Sequence, residues 1–169
     1  MIAYVILIGL VAVERLAELV VAQRNFATSK ARGGTEFGAG HYPAMVALHT
    51  ALLGSCLIEV LALHRPFIPV LGWSMLAVAV AAQGLRWWCI TTLGWQWNTR
   101  VVVVPGAVRV TGGPYRYLSH PNYVAVALEG LALPLVHSAW LTAVAFTVLN
   151  AVLMLARIKV ENAALASLA

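Results

Sequence analysis

The sequence predicts an all-α integral membrane protein with about five transmembrane helices and a small hairpin between the third and fourth. Hydrophobic residues make up 62% of the 169-residue chain and charged residues only 10%, whereas a soluble domain carries about 25% charged residues. The mean hydropathy is +0.86. The apolar residues also form runs of roughly 20, the length needed to cross a bilayer. These runs occupy residues 2–22, 43–63, 67–85, 121–136 and 138–157. We expect one domain over residues 1–169.

The first run carries three ionisable residues, Glu14, Arg15 and Glu18. These charges and the lack of a small-residue cleavage site favour a retained helix over a signal peptide. Two acids one turn apart with an arginine between them can neutralise one another inside a helical bundle. We therefore predict a structural ion cluster on this helix.

The second and third runs are joined by "HRPFIP", in which Pro66 and Pro69 fit turns or helix starts. His49 and Glu59 lie within the second run, and Glu129 lies within the fourth. Ionisable groups inside a bilayer are costly and invite a functional interpretation. A lone histidine on an apolar face is more often a packing residue, so both interpretations of His49 stay open.

Residues 86–120 form the one long polar stretch. Its segment "RVVVVPGAVRV" has two β-branched runs around Pro-Gly, which predicts a small hairpin. Lipid cannot satisfy such backbone, so it must lie under protein or at the water interface. The stretch begins with a group that is either an interfacial aromatic belt or the wall of a substrate mouth: Arg86, Trp87, Trp88, Trp95 and Trp97.

The fourth and fifth runs are joined by only "VHSAW", which predicts a tight antiparallel helical pair. Cys56 and Cys89 lie in apolar surroundings without CxxC spacing, so we expect neither a disulfide framework nor a metal site.

The basic residues predict the orientation. With five spans, nine lysines and arginines fall on one side, and Arg65 falls on the other. The positive-inside rule then places the amino terminus outside and the basic loops in the cytoplasm of a multi-pass protein of the cell (inner) membrane. The net charge of +5 is explained by this orientation, so nucleic acid is not an expected partner.

The stretch "GGPYRYLSHPNY" at residues 112–123, called here the first motif, is the most polar part of the second half. Gly112, Gly113 and Pro114 predict a turn. Pro121 predicts the start of the fourth helix, with Ser119 or His120 as its cap. A helix amino terminus suits an anion such as a carboxylate. The motif adds donors, a cation and flat rings there: Tyr115, Arg116, Tyr117, His120, Asn122 and Tyr123. The alternative is an interfacial anchor.

The stretch "ARIKVENAAL" at residues 156–165, called here the second motif, ends the fifth helix. Arg157 and Glu161 are four residues apart and share a helix face. A surface ion pair is the simplest interpretation. The short link between the fourth and fifth helices, however, brings both motifs to one membrane rim, and such a convergence of ionisable groups predicts a site.

Together the two motifs resemble those of the isoprenylcysteine carboxyl methyltransferase family, which are integral membrane enzymes. The resemblance covers about residues 83–165, in the motif-bearing half 83–169. Ser119 stands where the family usually has arginine, and Asn162 stands where it usually has a second glutamate. The strings "VERLAELVVAQRN" and "GHYPAMVALH" resemble a small bacterial branch that O-methylates long-chain alkylpyrones.

This resemblance implies S-adenosylmethionine as cofactor and a lipophilic acceptor in the bilayer. The residues at matching positions imply the cofactor site: Tyr115, His120, Pro121, Tyr123, Arg157 and Glu161. We also expect Arg157 to steer the acceptor anion. Glu129 lies two turns from Pro121 and is expected to border the acceptor tunnel. Arg157 and Glu129 are the predicted catalytic residues.

The preferred acceptor is an alkylpyrone enol, with a prenylcysteine carboxylate second. An NADPH-dependent sterol-type reductase is the alternative enzyme, because such proteins have a similar His-Pro-Asn-Tyr segment. A binding protein without catalysis would leave both polar motifs unexplained.

Overall fold

The computed structural model describes residues 1–166, which form five helices and a two-stranded sheet. In chain order these are α1 (Ile2–Ala31), β1 (Thr35–Phe37), α2 (His41–Ala62), α3 (Pro69–Leu93), β2 (Val101–Val103), α4 (Pro121–Leu135) and α5 (Trp140–Ala166). The all-α class is confirmed. The helices α1, α3 and α5 finish at the end of the bundle where α2 and α4 begin, called here the site end.

Three of the helices are long and apolar enough to cross a membrane: α2, α5, and α3 together with the short turn that follows it to Gln96. The helix α1 has 30 residues but includes the charged group Glu14, Arg15 and Glu18. The helix α4 has 15 residues and a length of about 22 Å at 1.5 Å per residue. It is therefore shorter than the roughly 30 Å core of a bilayer.

The helix α3 extends further than predicted, from residue 85 to Leu93, so the start of the polar stretch is helical. Arg86 consequently lies inside α3, where it is 8% exposed and its Nε is 2.7 Å from Glu18 Oε1. Arg86 is one of the nine basic residues that the sequence pattern assigns to loops on one side, and its position inside α3 shows that this assignment was wrong for Arg86.

The predicted hairpin at residues 100–110 was also wrong. A turn does form at Pro105 and Gly106, but residues 107–110 are not a strand. The strand β2 pairs instead with β1, antiparallel, with Thr35 opposite Val103 and Phe37 opposite Val101. The partner lies far upstream between α1 and α2, and a local pattern of β-branched residues carries no information about so distant a pairing.

The antiparallel pair predicted from "VHSAW" is present. The helices α4 and α5 are joined by a four-residue link and pack against each other. Gly130 makes this packing close. A Cβ at that position would lie 1.9 Å from Cε1 of Phe146 on α5.

The end opposite the site end is closed by contacts of α1 with α4 and of α2 with α5. The Tyr4 hydroxyl donates to the Leu133 carbonyl at 3.1 Å. Glu59 accepts from the backbone N–H groups of Leu141 and Thr142 at 3.1 and 2.7 Å, and Arg65 approaches it to 2.9 Å. Glu59 therefore has a structural explanation, because it satisfies the N–H groups at the start of α5.

Candidate active site

The first motif docks against α3 through its glycine turn. Gly113 has φ +55°, and a Cβ there would lie 2.5 Å from Thr92 Oγ1, so glycine is needed for both backbone and space. Tyr115 follows within a 3₁₀ turn, and burial raises the pKa of its phenol further above neutral pH. Pro121 begins α4 as predicted, and the His120 carbonyl accepts from Tyr123 N–H at 3.1 Å. His120 thus holds the cap position, but its side chain makes no capping bond.

The two motifs meet at the Tyr123 hydroxyl. This hydroxyl accepts a hydrogen bond from Arg157 Nε at 2.8 Å and donates one to Glu161. The His120 ring stacks on Tyr123 with centroids 5.3 Å apart, and its Nδ1 lies 3.8 Å from Glu161 Oε1. Its Nε2 lies 3.2 Å from Asn162 Oδ1. The structure thus brings together the predicted residues of both motifs.

Arg157 is held by two further contacts from distant parts of the chain. Its Nη1 donates to the Thr99 carbonyl at 2.6 Å and lies 3.2 Å from Met45 Sδ on α2. These contacts fix the guanidinium between α2, α5 and the loop that follows α3.

Two cavities share a wall at this point. The smaller, about 120 Å³, is lined by Tyr115, His120 and Glu161 among others. The larger, about 310 Å³, is mostly apolar and runs between α1, α2 and α5. Both are lined by the same wall residues: Trp97, Asn98, Asn122, Tyr123 and Arg157.

The shared wall carries buried polar atoms that have no hydrogen-bond partner within residues 1–166. They are Trp97 Nε1, Asn98 Nδ2 and Asn122 Oδ1. Buried polar groups are nearly always paired, so each such group needs an explanation. Two donors and an acceptor in one wall fit a polar ligand.

Sequence reasoning did not assign Asn98 or Met45 to the site, and it left Trp97 between a belt and a mouth. Trp97 is 2% exposed and forms cavity wall, whereas Trp87 and Trp88 are 43% and 49% exposed, as in an interfacial belt. Asn98 and Met45 lie outside both motifs, and only the fold brings them to the cavity that Arg157 also lines.

A second polar cluster lies deeper in the bundle. It confirms the contact between Arg15 and Glu18, at 2.7 Å, and extends it through Arg86. Gln83 joins it, since Arg15 Nη2 donates to Gln83 Oε1 at 2.6 Å and Gln83 donates to Glu14. Three of its members line the larger cavity: Arg15, Glu18 and Arg86.

Glu129 belongs to this deeper cluster. Its Oε2 lies 3.4 Å from Arg15 and 4.0 Å from Arg86. Among residues 1–166 it is not one of those that line the larger cavity, so the structure does not place it on the border of the tunnel as predicted. Glu129 contacts the two arginines, and it lies about 9 Å along α4 from Tyr123 at 1.5 Å per residue.

Comparison with known proteins matches the amino-acid sequence to a family. The sequence model of the isoprenylcysteine carboxyl methyltransferase (ICMT) family matches residues 75–167, which include both motifs. The chain is also 40% identical over 161 residues to the uncharacterized protein YpbQ of Bacillus subtilis, and the match covers 95% of each chain.

Proposed function

Because the chain belongs to the isoprenylcysteine carboxyl methyltransferase family, we propose that this membrane methyltransferase uses S-adenosylmethionine to O-methylate an amphiphilic, lipid-like acceptor. The observation that carries the proposal is the pair of cavities, one more polar and the other mostly apolar, that meet at Tyr123 and Arg157. A water-soluble donor suits the polar cavity and a hydrocarbon tail suits the apolar one. Methyl transfer needs the two molecules to meet at a single wall.

The polar cavity offers the groups that S-adenosylmethionine requires. The Glu161 carboxylate can accept hydrogen bonds from ribose hydroxyls, and Arg157 with the amino terminus of α4 can hold the methionyl carboxylate. His120 and Tyr115 provide ring surfaces and Pro121 shapes the start of α4. The unpartnered atoms of Trp97, Asn98 and Asn122 would gain the partners that they lack.

The protein's part in the reaction is to position the reactants and exclude water. The bound cofactor supplies a methyl group on a positively charged sulfur. Arg157, fixed by Thr99 and Met45, orients the acceptor oxygen at the shared wall. Positioning of this kind accounts for a large part of the acceleration of two-substrate reactions.

The acceptor's tail is expected to reach the larger cavity from the lipid. Leu16 on α1 and Val46 on α2 line this cavity and are 63% and 37% exposed, so the opening lies between these helices. Burial contributes about 0.8 kcal/mol per CH₂. Catalytic efficiency should therefore rise with tail length until the cavity is filled.

We propose the enol hydroxyl of an alkylpyrone as acceptor, with a prenylcysteine carboxylate second. The amino-terminal strings support the first, and the family name supports the second. Their products differ, because a methyl ester releases methanol in mild base and an enol methyl ether does not. Equal turnover of short, water-soluble analogues would contradict a lipid acceptor.

The cofactor is tested with detergent-purified protein by thermal shift and calorimetry with S-adenosylhomocysteine and with NADP. Stabilisation by S-adenosylhomocysteine alone is expected. Stabilisation by NADP alone would favour the sterol-type reductase. Incubation with radiolabelled S-adenosylmethionine and a membrane lipid extract then identifies the acceptor.

A further inference from the structure

His49 on α2 lines the larger cavity, and a neutral histidine can accept a proton on one ring nitrogen. Its Nδ1 lies 2.8 Å from the Met45 carbonyl oxygen. A carbonyl only accepts, so Nδ1 carries a hydrogen, and the lone pair of the neutral ring is on Nε2. The ring lines the cavity and is held edge-on by Phe146, with centroids 5.3 Å apart. The backbone contact therefore orients the ring with its basic nitrogen on the side away from α2.

His49 is connected to the shared wall through one residue. The Met45 sulfur accepts a contact from Arg157 Nη1, and the Met45 carbonyl accepts a hydrogen bond from His49 Nδ1. Met45 and His49 are four positions apart on α2, which is about one helical turn or 6 Å along the helix axis. His49 and Arg157 line the same cavity, so an acceptor oxygen held there by Arg157 can approach the His49 ring.

We propose that His49 is the general base of the reaction and that the acceptor is a neutral hydroxyl compound, such as an enol or a phenol, when it enters the cavity. This inference rests on the proposed methyltransferase function. An acceptor that arrives from lipid enters uncharged, since an unpaired anion in an apolar environment is costly. Its proton must then leave when the oxygen attacks.

In this reaction the acceptor's O–H proton goes to His49 Nε2, the new O–C bond forms, and the S–C bond of the methyl donor breaks. The donor's sulfur becomes neutral by taking the bonding pair, and the positive charge is then carried by the His49 proton, which is released to water. A carboxylate acceptor would need no such group.

The charged and titratable groups around the cavity are compatible with this role. They are Arg15 and Glu18 on α1, Tyr42 on α2, Arg86 on α3, Tyr123 on α4 and Arg157 on α5. Glu18 is paired with both deeper arginines at 2.7 Å, so its charge is balanced. The arginines favour the acceptor oxyanion as it forms, and they oppose a lasting positive charge on the His49 ring, which favours release of the proton to water.

The test compares wild type with His49→Gln on two long-chain acceptors, an alkylphenol that is neutral at assay pH and an alkylnitrophenol that is ionised. For the alkylphenol we expect kcat/KM to fall about 100-fold, the low end for a lost general base, and to recover about tenfold per pH unit as hydroxide ionises the acceptor. For the nitrophenol we expect little change. Equal loss with both acceptors, or no loss with either, would overturn the inference.

A readout without methyl donor separates this inference from the proposed function. The probe is 7-hydroxycoumarin with a dodecyl chain, whose absorbance reports its ionisation. We expect the bound probe to ionise about one pH unit lower in wild type than in His49→Gln. Identical titration in both proteins, or no binding, counts against His49 as base. If the titration shifts but no acceptor is ever methylated, the methyltransferase assignment fails and the proton-acceptor role stands.

The matched control is Phe146→Leu, which loosens the same ring without removing its nitrogen. It should lower stability while leaving the pH profile of kcat/KM unchanged. A Phe146→Leu profile that matches that of His49→Gln would indicate that ring packing, and not proton transfer, causes the effect.

Discussion

The Tyr123 hydroxyl joins the two motifs by two hydrogen bonds, because Arg157 donates to it and Glu161 accepts from it. Tyr123→Phe removes this link and keeps the ring under His120. We expect affinity for S-adenosylhomocysteine to fall about tenfold, the effect of roughly 1.4 kcal/mol, when measured by calorimetry. Tyr117→Phe is the control, since Tyr117 is 73% exposed in the same motif. Unchanged affinity in Tyr123→Phe would place the cofactor elsewhere.

Trp97 tests whether the unpartnered atoms of the shared wall belong to a ligand site. Trp97→Phe removes Nε1, which has no partner within residues 1–166, so the unliganded protein should lose little stability beyond ring volume. Affinity for S-adenosylhomocysteine should drop several-fold in the same calorimetric assay. Trp88→Phe, at a residue 49% exposed, should leave it unchanged. Equal affinity for both variants would contradict a ligand at Nε1.

At this scale the sequence indicates the candidate-site residues that lie within the two motifs and misses those that lie outside them. His120, Tyr123, Arg157 and Glu161 could be predicted because their residue types and order are specific. Asn98 and Met45 could not be predicted, because the residues around them form no motif. They join the candidate site only because the fold places them at the cavity that Arg157 lines.

Among the elements, α5 depends on a side chain from α2. Glu59 is 6% exposed and accepts from two backbone N–H groups at the start of α5. Glu59→Leu leaves a buried donor at Thr142 and a part-buried donor at Leu141 without an acceptor, and an unsatisfied buried donor costs about 1–3 kcal/mol. We expect the melting temperature of the detergent-purified protein to fall by several degrees.

Affinity for S-adenosylhomocysteine should survive Glu59→Leu at temperatures where the variant is folded, since Glu59 is at the far end of the bundle. Arg65→Gln is the control. It removes the ion pair but keeps the backbone contacts, so the melting temperature should fall less. A larger fall in Arg65→Gln would make the ion pair, and not the helix start, the main contribution.

The helices were predictable and the strand pairing was not, for a physical reason. A membrane helix satisfies its hydrogen bonds within its own segment, so hydropathy and prolines alone indicate where it starts and roughly where it ends. A strand needs a partner. Val101–Val103 has the composition of a strand, but its partner Thr35–Phe37 is set by how α1 and α2 bring that loop to the site end.

For the whole molecule, the orientation in the membrane stays a prediction from the basic residues of the loops and tail. We propose that the site end faces the cytoplasm. A cysteine introduced at Ala169 should resist an impermeant maleimide in intact cells, whereas a cysteine at His64, in the link between α2 and α3, should react. The native Cys56 and Cys89 are both buried and should give little background. The reverse labelling pattern would show that the site end faces the outside of the cell.

The charge cluster of α1 also has a consequence for biosynthesis. Glu14, Arg15 and Glu18 each disfavour release of an isolated helix into lipid, by about 2.5–3.5 kcal/mol for a charged residue at the centre of a helix. Their partners Gln83 and Arg86 are made only when α3 emerges from the ribosome. The first helix is therefore expected to wait at the translocon, or at the edge of the insertion machinery, until the third helix arrives to neutralise it. Ribosome-bound intermediates that stop before residue 83 should consequently remain extractable from the bilayer, while those that extend beyond α3 should not.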